Sequence, residues 1–133
     1  MPIELLDFFT WQTIDVELVS LSVRVDDLAA RHGITVREYY KDGLGPARYF
    51  AGRLPSGLFF AVEELAMDVQ YQGALGPSVF VDATALAANG IEPLVSEVLQ
   101  TLGIARSELV YVADDMRLQA AISFIGAKCR YRG

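Results

Sequence analysis

Three aspartates in this sequence stand where acid chemistry is often mounted. Asp82 ends the apolar run Ser78-Val-Phe-Val81, and Asp114 and Asp115 follow closely on the apolar run Leu109-Val-Tyr-Val112. Carboxylates gathered at the ends of neighbouring strands can hold Mg²⁺ and activate water for hydrolysis. The same residue in the same place has a simpler use, because aspartate between a strand and a helix is a cap or turn residue. Material for nucleophilic chemistry is thinner. His32 is the only histidine, and Cys129, in Lys128-Cys-Arg130, is the only thiol. A working nucleophile needs a base and a third group that orients the base, and no such group is evident. The stretches Gly43-Leu-Gly45-Pro and Gly73-Ala-Leu-Gly76-Pro lack the Lys-Ser/Thr of a phosphate-binding loop and read as turns. No catalytic residue, cofactor or resident metal is expected.

A binding surface has more to work with. Tyr39, Tyr40, Tyr49, Phe50, Phe59, Phe60 and Tyr71 crowd one region, and Glu63, Glu64 and Asp68 fall within it. Rigid aromatics bordered by complementary charge are what tight protein interfaces use. An aromatic patch bordered by Glu63, Glu64 and Asp68 is therefore a candidate partner surface.

The elements that must position these residues follow from periodicity. Val19, Leu21, Val23 and Val25 alternate with polar neighbours, which predicts a strand over 16–25. Asp26 reads as the cap of a short helix that Gly33 stops. Three strands follow, Ile34–Tyr40, Arg48–Leu54 and Leu58–Val62, separated by the turns Asp42–Pro46 and Pro55–Gly57, so an antiparallel meander is expected near 34–62. Glu63–Met67 reads as the start of a helical turn. A strand at 78–81 and a turn at 86–90 precede the clearest helix, where Leu94, Val95, Val98, Leu99 and Leu102 keep helical spacing between Pro93 and Gly103. With a strand at 109–112, residues 78–112 form a strand–helix–strand unit that could return parallel or antiparallel. Asp114 reads as the cap of a last helix, 116–124. The expected class is α+β.

Length and charge bound the reading. At 133 residues the chain fits a single domain, 1–133, and 53% hydrophobic residues suffice for a core. A lone cysteine, an acidic start without a basic leader region and the lack of any long apolar run point to the cytoplasm and away from membranes. The net charge of −6 is unevenly distributed: residues 61–115 hold nine acids and one base, whereas residues 31–60 hold five bases and two acids. An acidic central half repels nucleic acid and attracts a basic protein.

Three resemblances follow from these residues. Asp27-Leu-Ala-Ala-Arg-His-Gly-Ile-Thr-Val-Arg37 with Tyr39-Tyr-Lys-Asp-Gly-Leu-Gly-Pro46 resembles the helix-turn-helix of mercury-resistance-type regulators, which implies DNA reading by residues 26–46. The match departs where only Glu38 separates Arg37 from the tyrosine pair, shortening the recognition helix by about a turn. Val79-Phe-Val-Asp-Ala-Thr-Ala-Leu86 resembles the opening strand of PIN-type nucleases, which implies a small metal-dependent hydrolase using Asp82, Asp114 and Asp115. The whole chain, small, acidic and without an evident active site, is similar in type to the immunity proteins of bacterial toxin systems. That likeness implies a non-catalytic inhibitor that binds the basic, nuclease-type toxin domain through Glu63, Glu64, Asp68, Tyr71 and Asp82.

Overall fold

The computed structural model of the chain describes residues 4–5, 16–41, 43–66, 76–116 and 119. Its strands are β1 (Glu4–Leu5), β2 (Val16–Leu21), β3 (Arg37–Lys41), β4 (Gly45–Arg53), β5 (Phe59–Leu65), β6 (Ser78–Val81) and β7 (Leu109–Val112). The helices are α1 (Val25–His32), α2 (Ala83–Asn89) and α3 (Ile91–Leu102), and a 3-10 turn at Arg106–Glu108 leads into β7. The fold is α+β.

All seven strands join one sheet in the order β1-β4-β5-β6-β2-β7, with β3 also on β4. Every neighbouring pair is antiparallel. The expected meander is present as β3, β4 and β5. The strand–helix–strand unit is present as β6, α2, α3 and β7, but its two strands do not touch. Both pair with β2, which lies between them.

The sheet's two faces differ in what they bury. On the helix face, Phe50 of β4 pairs with Val62 of β5, which pairs with Val79 of β6, which pairs with Val19 of β2. These residues pack with Leu28 of α1, Leu86 of α2 and Leu94, Val95, Val98, Leu99 and Leu102 of α3 in the main core. The helical spacing of the α3 residues brings all five to one side, and each is buried. On the opposite face, Ala51 and Ala61 form a small second cluster with Phe59 and Phe80.

Four local expectations are corrected. Strand β2 stops at Leu21, and Val25, buried, opens α1 instead of ending the strand. Asp26 is not the cap of α1: that position is Arg24, which makes no side-chain capping bond, and Asp26 lies in the first turn. Residues 63–65 continue β5, where a helical turn was expected. Residues 83–89 form α2 and not a turn, because Asp82 caps them and Ala83, Ala85 and Leu86 bury one side. The expected helix at 116–124 lies mostly outside the described residues.

Candidate partner-binding site

The acidic pair Glu63-Glu64 does not form a surface patch. Successive residues of a strand point to opposite faces, and here each carboxylate is drawn inward. Glu64 is in line with Phe60 and Val62 on the helix face and is 8% exposed. Its Oε2 accepts the backbone N–H of Val25, the first residue of α1, at 3.3 Å and lies 3.8 Å from the Arg24 guanidinium. A carboxylate at a helix N-terminus meets unpaired N–H groups and the positive end of the helix dipole. The cap that Asp26 was expected to give α1 thus comes from the neighbouring strand, and Glu64 serves the fold.

Glu63 lies on the opposite face and is 4% exposed. It sits between Tyr49 and Ser78 in the register, and the Tyr39 hydroxyl donates to it. The Tyr39 and Tyr49 rings meet edge to face at 5.2 Å. One strand beyond, the Ser78 hydroxyl donates to Glu17. This row of hydroxyls and carboxylates is satisfied from within the sheet, as buried polar groups must be. Neither Glu63 nor Glu64 is placed to meet a protein partner, which corrects the expectation for both. Asp68 and Tyr71 lie outside the described residues.

Asp82 is placed differently. Strands β6 and β7 both run antiparallel to β2, so they point the same way and their C-terminal ends share one end of the sheet. Val81 pairs with Val16, and the Ala113 amide donates to the Leu18 carbonyl at 2.8 Å. Asp82, Asp114 and Asp115 therefore flank the start of β2, about 10 Å apart across two strand spacings. Glu17, on β2 itself, is held along the sheet by the Ser78 hydroxyl at the start of β6. Asp114 and Asp115 are exposed, while Asp82 and Glu17 are half-buried. One oxygen of Asp82 accepts the Thr84 N–H at 2.6 Å, capping α2. Glu17, Asp82 and Asp115 make no ion pair among the described residues. Among those residues no three of His, Cys, Asp and Glu are grouped so as to hold a metal ion.

Elsewhere several acids meet the chain's own arginines, though Asp27 and Glu97 make no ion pair among the described residues. Asp26 and Glu38 lie 2.7 and 3.8 Å from Arg48, Glu92 lies 2.7 Å from Arg106, and Glu108 lies 3.3 Å from Arg31. The Ala105 amide and then the Arg31 guanidinium hold the Glu108 carboxyl below the usual carboxylate range. The bases of residues 31–60 are thus partly spent inside the molecule. The segment resembling a helix-turn-helix forms one helix only: after Gly33, whose φ of 65° ends α1, residues 37–41 become β3 paired along β4. The Tyr39-Tyr40 pair and the short spacing before it favour a strand, and no recognition helix stands there to enter a groove.

Comparison with known protein families, curated proteins and solved structures finds no match. Among the described residues no helix is long and apolar enough to cross a membrane.

Proposed function

We propose that this chain is a non-catalytic binding protein that captures a basic protein, in the manner of an immunity protein covering a nuclease-type toxin domain. The contact surface is the end of the sheet where β6 and β7 finish, with Asp82, Asp114 and Asp115 as its carboxylates. One observation carries the reading: Asp82, Asp114 and Asp115 share this end, and Asp82 and Asp115 make no ion pair among the described residues, whereas Asp26, Glu38, Glu64, Glu92 and Glu108 meet the chain's own arginines. A concentrated negative end speeds the encounter with a cationic partner and orients it, and charge-assisted hydrogen bonds to its lysines and arginines then hold it. Asp82 can take part through the oxygen not bonded to Thr84.

The test is affinity capture from the native host on the wild-type chain and on an Asp114→Lys/Asp115→Lys variant. The reading expects a basic protein retained by the wild type, released as salt rises and not retained by the variant. Its gene should also neighbour that of the chain. Retention of nucleic acid alone, or a partner held equally by both chains, contradicts the reading. Metal-dependent nuclease activity abolished by Asp82→Asn would replace it with the hydrolase alternative.

A further inference from the structure

Strand β7 is the last strand of the sheet on its side, and nothing among the described residues pairs with its outer edge. The direction of its backbone groups can be worked out. The Ala113 N–H points inward to Leu18. Alternation along a strand therefore turns the N–H and C=O of Val112 outward. In the register between β2 and β7, Tyr111 pairs with Ser20 and Leu109 with Leu21, so Val110 has no cross-strand partner. Its side chain is 49% exposed.

The two margins of the sheet are protected by different means. On the far margin, β3 carries Arg37, Glu38 and Lys41 in five residues. Charges of this kind discourage a further strand from adding to an edge. Strand β7, Leu-Val-Tyr-Val, carries none, and its edge is guarded only by its shortness and the bulge at Val110. Exposed Asp114 and Asp115 follow just beyond its end.

We propose that the outer edge of β7 accepts an extended, basic segment of the partner as an added strand. This inference rests on the binding reading above and specifies how the partner docks. The outward amide and carbonyl of Val112 give the main-chain hydrogen bonds, and apolar side chains of the incoming segment lie beside Val110. Its lysines or arginines reach Asp114 and Asp115. Strand addition supplies affinity from the backbone and selectivity from alternate side chains, and the acidic pair at one end sets which segments are accepted.

The probe is an acetylated, amidated peptide of three Lys-Val repeats, added to the full chain while amide hydrogen exchange is followed by NMR. The expected result is exchange at Val112 slowed by about tenfold or more at saturation. Binding should weaken when the central valine of the peptide is proline, and in the Asp114→Lys/Asp115→Lys chain. Peptide binding without any change at Val112 overturns strand addition while leaving the acidic-surface reading standing. A peptide that does not bind the wild-type chain overturns strand addition, and capture of a basic host protein decides the broader reading separately. Slow exchange at Val112 before peptide is added shows the edge taken by the chain itself. Protection that grows with the chain's own concentration shows it taken by a second copy. Either result overturns the proposal.

Discussion

Glu64 shows how one side chain can serve the fold while reading as a surface acid. Its immediate neighbours are Glu63 and Leu65, but the alternation Phe60, Val62, Glu64 aims it at the helix layer. Replacing it with alanine leaves the Val25 amide without its acceptor and Arg24 without its counter-charge. The expected cost is about 1–3 kcal/mol. Glu64→Gln, which keeps an acceptor oxygen, should lose less. Urea unfolding reads both as shifts in midpoint at unchanged slope. A second residue-scale prediction concerns Gly76. A Cβ there would stand 1.7 Å from the carbonyl oxygen of Leu21. That carbonyl belongs to the end of β2, whose Leu21 amide bonds the Pro77 carbonyl at 2.9 Å, so backbone must move and no rotamer change can relieve the clash. Overpacking usually costs about 1–3 kcal/mol, and Gly76→Ala should reach or exceed the upper figure. An unfolding midpoint within error of wild type would show that this close approach is not maintained in solution.

Among the elements, the turn before β7 is tied to α1 through Glu108. Its carboxylate accepts the Ala105 amide and meets Arg31 of α1. These contacts favour the charged form, so the folded pKa lies below the unfolded one. The stabilisation is present above the unfolded value, about 4.3 for glutamate, and is lost as pH falls through the folded one. Thermal midpoints of wild type and Glu108→Gln should therefore differ near neutrality and converge on acidification. A constant gap down to about pH 3 contradicts this linkage. The same scale shows what the sequence discloses. Helix α3 was legible because its five apolar positions repeat at helical spacing, and the meander because β-branched and aromatic runs alternate with glycine turns. Helix α2 was not, since an alanine-rich segment ending in Asn-Gly has little contrast between its sides. Glu64 could have been read from the alternation of β5 continued by two residues. The sheet order could not: placing β2 between β6 and β7 depends on contacts some sixty to ninety residues apart, and no local pattern records them. The placing of Asp82 at the same end as Asp114 and Asp115 was hidden for the same reason.

For the whole molecule, arrangement matters more than the net charge of −6. Ion pairs with Arg24, Arg31, Arg48 and Arg106 offset acids over much of the described surface, and each such pair in solvent adds little stability. Their larger effect is on the field, and Asp82 and Asp115, where β6 and β7 end, make no such pair among the described residues. Binding of a cationic partner should consequently weaken steeply with added salt, while stability changes little. The most direct test compares two charge reversals of equal size. Asp114→Lys/Asp115→Lys alters the acidic end, and Asp26→Lys/Asp27→Lys alters exposed acids at the start of α1, with the binding of hexalysine measured by calorimetry at low salt. The first variant should lose about tenfold or more in affinity and the second about threefold or less. Equal losses would mean that hexalysine senses only the total charge, and the acidic end of the sheet would not be a binding face.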